Sequence, residues 1–133
     1  MQTYALRLHP NQDLKATLDN WAVDNAIEAA CVLTCVGSLH QAVLRFADQD
    51  QSTTLDGKFE IVSLTGTLSR HGSHYHLSLA DSQGSTVGGH LLAGCFIYTT
   101  AEIVLALLPN LSFRREIDSA TGYKELVIKN IPE

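Results

Sequence analysis

Only one stretch of this chain carries helical periodicity, and that limits the fold more than any other feature. From Asp13 onward, Leu14, Leu18, Trp21 and Ala22 recur at i, i+4, i+7 and i+8. They form one apolar stripe over about three turns, with Lys15, Asp19, Asn20 and Asp24 off it. Asp13 stands where an N-cap is needed, because its carboxylate can accept from the free N–H groups of the first turn. Nearly everything else reads as strand. Tyr4–Leu8 alternates and is broken by His9-Pro10-Asn11. After the helix, Cys31–Val36 and Leu39–Phe46 are apolar runs, the first ended by Gly37-Ser38, and Asp48–Ser52 is a polar loop. Lys58–Leu68 is entered through Asp56-Gly57, and His74–Ala80, Thr86–Leu92 and Cys95–Thr99 follow between Gly- or Asp-bearing turns. Glu102–Leu108 is assigned to strand for its Val and Ile, although Ala106, Leu107 and Leu108 would suit a helix. Pro109-Asn110 turns the chain into Leu111–Glu116, and Ala120-Thr121-Gly122 leads to a last strand, Glu125–Lys129. One helix and eight to ten strands predict an α+β fold with a mainly antiparallel, barrel-like sheet.

Residues 1–133 are the length of one domain, and 45% hydrophobic against 17% charged residues is a globular balance. Such a chain can bury its core without a disulfide or a metal. The three cysteines, Cys31, Cys35 and Cys95, are odd in number and lack a CxxC pair. Cys31 and Cys35 read as small buried hydrophobes in a reducing compartment. The N-terminus has no basic region followed by an apolar one, and no run approaches the ~20 apolar residues of a membrane span. The expected location is therefore cytoplasmic, with no membrane partner. A formal net charge of −5 and no basic face argue against a chain that binds DNA by itself. Gly88-Gly89 is not followed by the Gly-Lys-Ser/Thr of a phosphate loop, and no nucleophile elbow appears.

Six histidines are many for this length. His9 and His71 fall in turns and are expected to be solvated. His40 shares a face with Ala42, Leu44 and Phe46 and reads as a satisfied core or interface residue. His74 and His76 are two apart in one strand, so both leave the same face, while Tyr75, Leu77 and Leu79 take the other. The position of His90 depends on the turn. If Asp81 pairs with Ser85, the loop is Ser82-Gln83-Gly84, with Gly84 in the left-handed region. His76 then stands opposite His90 and Ser78 opposite Gly88. A loop one residue shorter or longer sends His90 to the other face. Gly84 thus favours three converging imidazoles, either a zinc site with a free fourth position or a polar hydrogen-bonding cluster.

The same residues carry a family resemblance. Leu6-Arg7-Leu8 with Asp13-Leu14, Gly37-Ser38-Leu39 continuing to Leu44-Arg45, Gly57-Lys58-Phe59-Glu60-Ile61-Val62 and Ser63-Leu64-Thr65-Gly66-Thr67 come first. His74 through Asp81, Gly88-Gly89-His90-Leu91, Gly94-Cys95 and Thr100-Ala101-Glu102 follow in order. Together they resemble the PPC domain, the domain conserved in plants and prokaryotes. Asn11 stands where relatives often have glycine, and asparagine tolerates the same left-handed turn. The resemblance implies a homotrimer and a DNA-associated regulatory or partner-assembly module. In plant relatives an AT-hook with an Arg-Gly-Arg-Pro core contacts DNA, and the domain recruits partners. This chain has no such hook, so DNA is expected only indirectly or weakly. The fold is also similar to that of acetolactate decarboxylase, whose zinc is held by three histidines including an HxH pair. Two functions therefore stand open: the assembly module, or a small zinc-dependent enzyme or ligand-binding protein using His74, His76 and His90. His40, Arg45 and Glu60 are candidates for the periphery of that site. A guanidinium and a carboxylate there could bind an anion or relay a proton, or form an ordinary ion pair or trimer contact. Arg114-Arg115 is the only adjacent basic pair, with one side chain expected in solvent.

Overall fold

A computed structural model describes residues 1–132 of the chain. Strand β1 spans Gln2–Leu8, helix α1 Leu14–Asp24, β2 Ala30–Arg45, β3 Thr53–Ser69 and β4 Gly72–Ala80. Strands β5 (Thr86–Leu91), β6 (Phe96–Leu107), β7 (Leu111–Ile117) and β8 (Lys124–Asn130) complete it. Among the described residues this is a mainly antiparallel α+β fold with one helix. Asp13 caps α1 as its side chain requires: Oδ1 accepts from Ala16 N–H at 3.0 Å. Its Oδ2 accepts from Gly94 N–H at 2.7 Å, tying the helix start to the loop before β6. The stripe of Leu14, Leu18 and Ala22 is fully buried, and Trp21 meets Tyr4 edge-on at 5.2 Å.

The main sheet has six strands in the order β1-β6-β2-β3-β4-β5. Eight strands result because two expected breaks are not breaks. Gly37 does not end a strand. It pairs with Ala101, and a Cβ there would collide with the Thr100 carbonyl oxygen, so glycine admits the neighbouring strand while β2 runs on to Arg45. Cys95–Thr99 and Glu102–Leu108 likewise join in β6, which is strand at both ends.

The expected barrel is only partly formed. β5 returns to pair with β2, but through two pairs alone, Leu44↔Leu91 and Arg45↔His90. The reason is competition for one edge of β2. β6 occupies that edge from Ala30 to Gln41, leaving only the last residues of β2 for β5. Between the curved sheet and α1 lies one core, centred on Leu8, Leu14, Leu18, Leu39, Leu44, Tyr75, Leu79, Ile97 and Leu105. β7 and β8 form a separate hairpin. It is anchored by Phe113, whose N–H donates to Glu28 O at 2.8 Å and whose carbonyl accepts from Ser69 Oγ at 2.7 Å. Among the described residues no helix is long and apolar enough to cross a membrane.

Candidate metal centre

Alternation along β4 divides core from surface. Tyr75, Leu77 and Leu79 are buried, and His74 and His76 are exposed. The turn after β4 is the three-residue loop that Gly84 suggests. Asp81 N–H donates to Ser85 O at 2.9 Å, and Gly84 has φ 81°. The Asp81 carboxylate fixes the turn by accepting from Gln83 N–H at 2.9 Å and Ser85 N–H at 3.0 Å. In this register His76 pairs with His90 and Ser78 with Gly88. Gly89 completes the arrangement from the other side. A Cβ there would lie 2.7 Å from Arg45 O, so only glycine lets β5 close on β2 and bring Arg45 opposite His90.

The three rings converge. Their ring centroids are 4.6 Å apart for His76 and His90, 5.0 Å for His74 and His76, and 5.2 Å for His74 and His90. One ring nitrogen from each lies within 4.8 Å of the others, and His74 Nε2 is 3.3 Å from His90 Nδ1. Partial burial holds His74 and His90 below the ordinary histidine pKa, and repulsion from His76 adds to it. Arg115 depresses His74 further, and Arg45 depresses His90. Both rings are thus biased to the neutral form, whose free lone pair can ligate a cation.

The candidate periphery divides. Arg45 is half-buried beside His90 and lines the same cleft. His40 is not in the cluster: Nε2 donates to Asn11 Oδ1 at 2.8 Å and the ring stacks on Phe96, a satisfied histidine as expected. Asn11 has the left-handed φ of 70°. Glu60 is exposed and pairs with Ala80, four residues along β4 from His76, or about 13 Å at ~3.3 Å per residue. His71, expected in solvent, is instead half-buried. The β3–β4 turn folds it over Glu28, at 3.2 Å. Of the Arg114-Arg115 pair, Arg114 keeps its side chain 42% exposed, while Arg115 is half-buried. Arg114 reaches Glu28 at 3.9 Å, and Arg115 Nη2 donates to Thr67 Oγ1 at 3.0 Å.

Sequence reading missed one wall of the site. An open cleft of about 810 Å³ runs from His74 and His90 to Arg115, Tyr123, Lys124 and Glu125 of the hairpin. A smaller hollow of about 220 Å³, lined by Thr65, Gly66 and Thr67, borders His74 and His76 on the other side. The only sequence signal for that wall was Arg115 itself.

The profile of the Plants and Prokaryotes Conserved (PCC) domain matches residues 1–109. Curated relatives from two Synechococcus strains, each named Bifunctional protein GlmU, are 50% identical over 133 and 131 residues. The chain spans 21% of their length. A hypothetical protein of Salmonella enterica is 42% identical, with 97% of this chain and 94% of that one aligned at a TM-score of 0.94. A metal-containing protein of Archaeoglobus fulgidus is 26% identical, with 96% and 94% covered at 0.81. A Bacteroides thetaiotaomicron protein whose name proposes DNA binding is 20% identical, with 94% and 91% covered at 0.84, a likeness of fold alone.

Proposed function

The chain belongs to the Plants and Prokaryotes Conserved domain family, and we propose that this member binds zinc through His74, His76 and His90 and uses it on a small ligand. The observation that carries the reading is the 3.3 Å between His74 Nε2 and His90 Nδ1 inside a three-imidazole cluster. Two nitrogens bound to one tetrahedral zinc at 2.0–2.1 Å stand about 3.3 Å apart. The donor set also fits: three imidazole nitrogens suit zinc and are one ligand short of its usual four. Zinc held there would lower the pKa of a bound water toward 7 and polarise a carbonyl oxygen. The chain's own part is positional. Pairing of β4 with β5 sets the spacing of the imidazoles, and Arg45 adds a cation at the rim. The description of the Archaeoglobus relative as a metal-containing protein supports a metal at this site. The Synechococcus relatives are named bifunctional proteins, but the chain matches only 21% of their length, so their name assigns it no activity.

The test is metal analysis and zinc titration of protein purified without an affinity tag. About one zinc per chain, removed by chelator and restored by titration, is expected. No saturable binding at micromolar zinc overturns the proposal.

Self-assembly is favoured by a separate observation. Val36, Val62 and Tyr98 lie exposed on the adjacent strands β2, β3 and β6, in the middle of the sheet rather than at its edge. We assign this patch to contacts in a homotrimer. Light scattering should give three times the chain mass at micromolar concentration, and the monomer mass would refute it.

A further inference from the structure

Two guanidinium groups flank the histidine cluster from different elements. Arg45, at the end of β2, stands across from His90. Arg115, on β7, donates to Thr67, the residue paired with His74 on β3. Among the described residues neither has an acid within 4.0 Å, although the ion pairs of the fold recruit Arg70 and Arg114 nearby. Alternation along β7 therefore sends Arg114 to a structural carboxylate and leaves Arg115 aimed at the cleft. Both arginines line that cleft with His74 and His90, Arg115 with Glu125 near enough to favour its charge but not within ion-pair distance. Its volume of about 810 Å³ falls in the range of roughly 300–1,000 Å³ usual for small-molecule sites. A half-buried guanidinium with free donors is a receptor for carboxylate or phosphate oxygens. The acids on the same walls, Asp48, Asp50 and Glu125, oppose a polyanion such as a nucleotide polyphosphate.

We infer that this cleft binds a small organic acid carrying one or two carboxylates, with Arg45 and Arg115 as the carboxylate receptors. The β7–β8 hairpin supplies the Arg115 side and sets which acid fits. It lies beyond the residues 1–109 that the family profile matches. The inference deepens the zinc reading and rests on it for the ligand's inner end, which would reach the metal. The arginine contacts stand without the metal.

Malonate is the probe, titrated calorimetrically into zinc-loaded and metal-free protein. Arg45→Gln and Arg115→Gln should each weaken malonate about 10- to 100-fold, the usual worth of a hydrogen bond to a charged group. Arg114→Gln should leave it unchanged, and zinc affinity, read by chelator competition, should stay within about twofold in all three. Circular dichroism checks the fold. If Arg115→Gln fails to fold, Arg115→Lys, which keeps the charge and loses the planar fork, should bind malonate with intermediate affinity. No saturable malonate binding in either metal state, or equal affinity in wild type and both arginine variants, overturns the inference while leaving zinc binding intact. Tighter binding of inorganic phosphate than of malonate overturns the carboxylate assignment. Should zinc fail to bind, the zinc reading falls and the metal-free titration decides: arginine-dependent malonate binding upholds the anion site, and its absence ends it.

Discussion

Replacing His76 by alanine separates a metal centre from a patch of wet histidines. Its ring is the nearest to both others, at 4.6 and 5.0 Å, while His74 and His90 are 5.2 Å apart. Without it two imidazoles remain. Four-ligand structural zinc sites are worth about 10–16 kcal/mol, so one ligand supplies roughly 3–4 kcal/mol, and zinc affinity should fall roughly 100- to 1,000-fold. The side chain is exposed, so stability of the metal-free protein should change by less than about 0.5 kcal/mol. These two numbers give a clean readout. Zinc at a hundred times the wild-type Kd adds about 2.7 kcal/mol to folding. For a chain of this size that raises Tm by roughly 8–11 °C, at about 3–4 °C per kcal/mol. At the same zinc concentration the variant gains at most about 0.4 kcal/mol, or roughly 1–2 °C. Thermal unfolding with and without zinc, paired with chelator competition, measures both. His40→Ala, which removes a histidine outside the cluster, should keep the full wild-type shift. An equal zinc shift in wild type and His76→Ala would refute the three-ligand geometry, and no shift in the wild type would refute the site.

Gly66→Ala should destabilise the protein by about 1–3 kcal/mol in urea unfolding, since the new Cβ would lie 2.5 Å from Tyr75 Cδ1 and 2.6 Å from His74 O and push β3 from β4. Asp13→Ala should cost about 1–2 kcal/mol, losing the helix cap and orphaning Gly94 N–H together, and unchanged stability would show that neither bond matters. Glu28 is held below its usual value of 4.5, first by the Ser112 hydrogen bond and then by His71 and Arg114, against a burial that raises it. A depressed folded pKa means its contribution is complete above about 4.5 and disappears as pH falls through the lower folded value, so Glu28→Gln should flatten the acid limb of a stability–pH curve. The isolated chain should show no sequence-specific DNA binding at physiological salt, given nine Lys and Arg against fourteen Asp and Glu; tight binding with a steep salt slope in a mobility-shift assay would contradict this.

The histidine site was legible because each step in reading it is local. Same-face projection of His74 and His76 follows from the period of a strand, and the position of His90 follows from one three-residue turn with glycine at its left-handed residue. The helix was legible for the same reason, its cap and stripe lying within eleven residues. Where the reading failed, the deciding contact came from far along the chain. Gly37 looked like a stop, because a sequence does not show that Thr100 passes close against it. Glu60 and Arg45 looked equivalent as peripheral charges, and β5 closing on β2 through Gly89 brought in Arg45 alone.

The sequence by itself determined the α+β character, the cap and stripe of the single helix, which residues of β4 face the core, and the β4–β5 register that gathers three imidazoles. Those are consequences of backbone period and turn stereochemistry, which act over a few residues. Tertiary structure decided that the barrel stays partly open, because β6 takes most of the β2 edge that β5 would need. It also decided that Arg115, forty-one residues beyond His74 in sequence, joins the histidine cleft while Arg114 turns to Glu28. Alternation says that the two arginines point apart; only the packing of the hairpin against the sheet says which of them meets the site.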